Sequence, residues 1–110
     1  MTSIHCFYHG ADLDGHCSGA IVKYRFPEAI MHSINYGDTF PWEEIKEDDE
    51  VYMVDFCLQP FDPDMLRLIG CCNLTWIDHH SSAIHEYIRH KSIHLSRCNA
   101  RYGTHKAACI

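Results

Sequence analysis

No stretch of this sequence approaches the roughly 18 consecutive apolar residues of a membrane-spanning helix, so no transmembrane anchor is expected. Basic residues are also scarce. Nine Lys and Arg stand against fifteen Asp and Glu, a net charge of −6 with His neutral, which argues against a broad cationic surface for gripping duplex DNA. Phosphate substrates stay open, because bound cations supply positive charge locally. Residues 1–8 are too few and too polar for a secretory signal, and the seven cysteines include no C-x-x-C pair. Adjacent Cys71 and Cys72 are poorly placed to reach one zinc together. The expectation is a reducing cytoplasm with free thiols rather than a disulfide framework, most of the cysteines acting as small buried hydrophobes. Internal repeats and linkers are missing too, so residues 1–110 are expected to form one domain.

What is present suits a globular fold. The 110 residues are 46% hydrophobic and 22% charged, and a domain of this size buries roughly two-thirds of its unfolded surface. Ten histidines are many for this length. Histidine is a common metal ligand and a proton shuttle, so the excess points toward a metal site.

Short apolar runs alternate with helical ones. Strands are predicted over 4–8, 30–36, 51–56 and 73–77, with a fifth at 93–95. Helices are predicted over 14–26, where Ala20, Ile21 and Tyr24 are apolar positions and Pro27 closes the segment, and over 60–69, with Met65, Leu66 and Ile69 facing inward and Gly70 as carboxyl-terminal cap. A third helix spans 81–90, capped by Ser81 or Ser82. The acidic stretch 41–50 is a surface segment with a helical turn after Pro41. The run over 51–56 is apolar throughout, as buried parallel strands are. The expected fold class is therefore α/β: an open, mostly parallel, doubly wound sheet of about five strands flanked by helices. A last helical run begins near Gly103 and ends on Ala107-Ala108-Cys109-Ile110. It reads as a helix cut in mid-course or, alternatively, as a short docked terminal helix.

Polar groups gather at the ends of the predicted strands. His9, Asp12, Asp14 and Gly15 follow the first, Asp55 ends the third, and Asp78, His79 and His80 follow the fourth. Ligands of open parallel sheets bind beyond the carboxyl ends of the strands, and the first, third and fourth strands are expected side by side. Any one of these aspartates alone suits a helix cap or a turn. Three segments converging on one edge suit a metal centre, since buried charges need partners or metal. Mixed Asp and His donors favour a borderline ion such as manganese over thiolate-bound zinc, and shared carboxylates suit two ions roughly 3.5–4 Å apart. Gly15, at a helix amino terminus, offers backbone N–H groups to a phosphate.

The pattern His9-x-x-Asp12-x-Asp14-Gly15, then Asp55, then Asp78-His79-His80 resembles the first three motifs of the DHH phosphoesterase superfamily. The longer stretches HGADLDGHCSGAIV (9–22), VYMVDFCLQ (51–59) and WIDHHSS (76–82) most resemble its bacterial and phage oligoribonuclease branch, and the likeness covers nearly the whole chain. The resemblance implies that His9, Asp12 and Asp55 hold one ion and that Asp14, Asp55 and His79 hold the other, with Asp55 bridging. His80 then lies near the substrate phosphate as a catalytic residue alongside Asp14, and Asp78 organises the loop. The implied ions are two manganese, with magnesium or cobalt as substitutes. The implied substrates are phosphate esters, above all short single-stranded oligonucleotides or dinucleotides.

The sequence departs from that pattern in one respect. A fourth motif, an Asp completing the second metal site, has no counterpart, because the only acid after Asp78 is Glu86. A substrate-gripping carboxyl-terminal domain is not recognisable either. The chain therefore reads as the amino-terminal part of such an enzyme, and the alternative function is a catalytically inactive, metal- or nucleotide-binding fragment. A remoter alternative is a haloacid-dehalogenase-type phosphatase, suggested by Asp12-Leu13-Asp14-Gly15. That chemistry needs its first Asp directly at the strand end and a late acid pair, and neither is found. A calcium loop counted from Asp12 fails as well, with Cys17 where Gly belongs and Lys23 where Glu belongs. Substrate identity and oligomeric state are not legible.

Overall fold

The computed structural model describes residues 2–90 and the backbone of 98–102. Five parallel strands, β1 (Ile4–His9), β2 (Ile30–Ile34), β3 (Glu50–Val54), β4 (Asn73–Asp78) and β5 (Cys98–Tyr102), form one sheet in the order β2-β1-β3-β4-β5. This is the α/β, parallel architecture expected. The chain runs from β1 outward to β2, then crosses back over β1 to lay down β3 on its other side. The topological switch point thus lies between β1 and β3, and their carboxyl ends define the crevice where such sheets bind ligands.

Helices cover both faces. On one side α1 (Leu13–Arg25) packs on Cys6 and Val54 through Val22. On the other, α2 (Leu66–Cys71) and α3 (Ser81–His90) close over Phe7, Val51, Met53, Leu74 and Trp76. Trp76 is fully buried and its indole N–H donates to the Phe56 carbonyl at 2.9 Å, tying β4 to the segment beyond β3. Removing a ring so placed costs about 3–5 kcal/mol.

The apolar positions Ala20, Ile21 and Tyr24 of α1 face outward, and the face on the sheet is Gly15, Ser18, Gly19 and Val22. The reason is close approach: a Cβ on Gly19 would lie 2.9 Å from the Tyr8 ring, so only small residues fit between helix and strand. The segment predicted as one helix over 60–69 is broken near its start, where Asp62 has non-helical backbone (φ −107°, ψ 116°), and regular helix continues as α2 to Cys71. Gly70 therefore lies inside α2 rather than capping it, and Leu66 is only half-buried while Leu68 and Ile69 are buried. Ser81 and Ser82, read as caps, form the first turn of α3. The helical turn after Pro41 is a short 3-10 turn, Trp42–Glu44. The strand expected over 93–95 and the helix expected from Gly103 lie outside the described residues, and β5 occupies a segment for which no strand was predicted.

Candidate metal centre

Three strand ends build the centre, each by a different local device. β1 ends at His9, and a tight loop leads to Asp12, whose extended backbone ends the loop and whose Oδ1 accepts the Gly15 N–H at 2.8 Å to cap α1. Short polar side chains do this because the first N–H groups of a helix lack intrahelical partners. Asp14 follows in the first turn. The Gly15 N–H offered by the sequence to a phosphate is thus taken by Asp12. The glycine is needed for another reason: a Cβ there would lie 1.8 Å from the His9 carbonyl oxygen.

β3 runs straight into Asp55, which has φ of 57°. A non-glycine residue in the left-handed region is uncommon, though Asp tolerates it better than most. The turn aims a carboxylate that is 1% exposed into the crevice, while its N–H remains in the sheet by donating to the Ile77 carbonyl at 2.8 Å. β4 ends at Asp78, whose Oδ1 accepts the N–H groups of His79 (2.7 Å) and His80 (3.2 Å) and also meets His80 Nδ1. Asp78 therefore fixes the turn that presents both histidines.

The structure brings His9, Asp12, Asp14, Asp55, His79 and His80 together at this edge. His79 Nε2 lies 2.9 Å from Asp55 Oδ1 and 3.1 Å from Asp14 Oδ2. On the other side of the same carboxylate, Asp55 Oδ2 is 3.9 Å from His9 Nδ1, which is 3.3 Å from Asp12 Oδ2. His80 Nε2, on a side chain 39% exposed, lies 3.9 Å from Asp55 Oδ1. Asp55 thus belongs to two donor groups at once, one with His9 and Asp12 and one with Asp78, His79 and His80.

Electrostatics mark the position as strained. Burial, then the charges of Asp14 and Asp12, push the Asp55 carboxyl up to about 7, against a smaller opposing effect of His79. Asp12 moves the other way, lowered chiefly by the Gly15 N–H. Buried polar atoms almost always find a partner, yet His9 Nδ1, Asp55 Oδ2 and Asp78 Oδ2 have no hydrogen bond. Two of these three are the atoms of the His9 and Asp12 group that face each other. A divalent cation accepting mixed nitrogen and oxygen donors fits this set.

Two aromatic residues of the centre escaped the sequence reading. The loop after β2 carries Tyr36, whose ring stacks on Phe56 with centroids 4.4 Å apart and meets His9 edge-on at 5.4 Å. The available signal was an aromatic residue at a strand end before a glycine turn, and Gly37 does have φ of +96°.

Comparison with protein-family models, with curated proteins and with solved structures gave no match. Among the described residues no helix is long and apolar enough to cross a membrane.

Proposed function

We propose that this chain is the metal-binding catalytic part of a DHH-type phosphoesterase, which hydrolyses phosphodiester bonds of short single-stranded oligonucleotides or dinucleotides with the aid of two manganese ions. The observation that carries the reading is the shared carboxylate of Asp55, with Oδ1 toward His79 and Oδ2 toward His9. His9, Asp12 and Asp55 would hold one ion; Asp14, Asp55 and His79 the other. Two such ions supply Lewis-acid activation of water and of the phosphoryl oxygens.

The chain's own side chains do the remaining work. Asp78 holds His80 by Nδ1, which leaves Nε2 in the crevice 3.9 Å from Asp55 Oδ1, where it can carry a proton to a phosphoryl or leaving-group oxygen. Asp14 meets His79 and fixes the direction of its ring. The reading includes a reducing, cytoplasmic setting, in line with free Cys6, Cys17, Cys57, Cys71 and Cys72 among the described residues.

A second reading, metal or nucleotide binding without turnover, draws on the same contacts of His79 with Asp14 and Asp55, which can hold an ion without requiring hydrolysis. Incubation of the chain with Mn2+ and a 5′-phosphorylated diadenylate separates the two. Metal-dependent release of AMP that is lost in Asp55→Asn supports the phosphoesterase. Tight Mn2+ binding with no release supports the second reading and contradicts the first.

A further inference from the structure

We infer that Tyr36 is a shelf for a nucleobase, so that the centre takes nucleotide phosphates in preference to phosphates lacking a base. The inference rests on the phosphoester reading above and names its substrate class more closely.

Three ring distances define the shelf. Tyr36 lies 4.4 Å from Phe56 with planes 29° apart, and His9 is 5.4 Å from Tyr36 and 5.6 Å from Phe56. A ring nearly equidistant from two stacked rings sits beside the pair, not over its outer faces. Phe56 is buried, so its outer side is closed. Tyr36 is 49% exposed, and the outer face of the stack is therefore its own. The phenol end lies toward the Cys57 backbone. What remains open is a flat aromatic face, backed by a buried ring and touching a candidate metal ligand.

A ring of this kind has a general use. Bases stack on exposed aromatic side chains with little regard to sequence, and each such contact is worth about 1–3 kcal/mol by alanine substitution. A phosphate bound at the crevice carries its ribose and base outward from the ions, and Tyr36 is the open aromatic face beside His9. Inorganic pyrophosphate or a simple sugar phosphate has nothing to lay on it.

The test compares binding of AMP and ribose 5-phosphate to the Mn2+-loaded chain by calorimetry. The wild type should bind AMP about 10–100-fold more tightly. Tyr36→Ala should bring the two ligands within about threefold, and Tyr36→Phe should keep the preference, since the ring rather than the hydroxyl makes the contact. NMR of the wild type loaded with diamagnetic Mg2+ gives a measurement free of folding effects: AMP, but not ribose 5-phosphate, should shift the Tyr36 ring protons by ring current. Equal affinities in the wild type, or an unshifted Tyr36 ring, would overturn the inference. A chain that cleaves diadenylate without base preference keeps the phosphoesterase reading and loses the shelf. A base preference abolished by Tyr36→Ala in a chain that cleaves nothing keeps the shelf and contradicts the phosphoesterase.

Discussion

Asp55 and His79 meet across the ends of β3 and β4, with Oδ1 2.9 Å from Nε2, while the other oxygen of the same carboxylate is left without a partner, 3.9 Å from His9 Nδ1. A fully buried carboxylate stretched between two histidines from different strands is costly unless something positive joins them. Its backbone adds to the cost by sitting at positive φ. Local strain of this kind accumulates at functional sites.

The first prediction follows from the raised Asp55 carboxyl. Between the ordinary Asp value near 4 and the folded value of about 7, the metal-free fold holds a proton that the unfolded chain does not. Stability of the metal-free protein should therefore fall as pH rises through this window and flatten above it. Asp55→Asn should remove that slope. Binding of Mn2+ must displace the proton, so affinity should climb with pH up to about 7 and then level. Denaturant melts and Mn2+ titrations across about pH 5–8 check both. Affinity independent of pH below 7 would contradict the account.

Glycine substitutions should separate close approach from simple helix preference. In Gly15→Ala the new Cβ lies 1.8 Å from a backbone oxygen of His9, which cannot move without disturbing the candidate metal centre. A loss of about 1–3 kcal/mol and weakened Mn2+ binding are expected. Gly70 is exposed within α2 and has nothing within 4 Å of an added Cβ. Gly70→Ala should stabilise by up to about 1 kcal/mol. Thermal melts of the two variants should move in opposite directions.

At the opposite edge of the sheet Asp49 forms a purely structural clasp. Its carboxylate accepts the N–H groups of Ser3 (2.8 Å) and Lys46 (2.9 Å) and meets buried His5 at 3.3 Å; His5 in turn pairs with His32 at 3.0 Å. Burial alone would raise the Asp49 carboxyl, but the two N–H groups and His5 together bring it below its ordinary value. That stability is present above the unfolded value near 4 and is lost as pH falls through the lower folded value. Asp49→Ala should cost about 2–3 kcal/mol at neutral pH, since it leaves buried donors unpaired, and the gap from wild type should narrow in acid. Mn2+ binding of the folded variant should be unchanged. A gap that widens in acid would show the sign to be wrong.

The cysteines should divide by burial. Cys17 is exposed, whereas Cys6, Cys57 and Cys72 are buried, and burial raises the thiols of Cys6 and Cys57 far above the ordinary range. The thiolate is the reactive form. Brief alkylation of the native protein, mapped by mass spectrometry, should label Cys17 first and leave Cys6 and Cys57 unmodified. Rapid labelling of Cys6 would contradict the packing of β1 beneath α1.

Much of this architecture was legible because buried parallel strands are written as apolar runs and end in polar residues. Val51, Met53 and Val54 announce β3, and Asp55 announces its end. Other features were hidden for physical reasons. The buried face of α1 consists of Gly15, Ser18, Gly19 and Val22, since the helix lies too close to β1 for larger side chains, so its visible apolar residues point away. In β5, Cys98 to Tyr102 alternate apolar and polar residues but include no β-branched one, and so signal strand weakly. Tyr36 looked like the last residue of a strand; only the turn at Gly37 and the ring of Phe56 reveal its place. Residue types showed which aspartates and histidines converge, but not that one oxygen of Asp55 serves each group.

The most direct test of that shared carboxylate is calorimetric titration with Mn2+ of the wild type, His9→Ala, His79→Ala and Asp55→Asn. Two ions should bind the wild type, one at His9, Asp12 and Asp55 and one at Asp14, Asp55 and His79. Each histidine variant should lose one ion, and Asp55→Asn should weaken both. Asp55→Asn that retains both ions at wild-type affinity, or a wild type that binds none, would contradict the account.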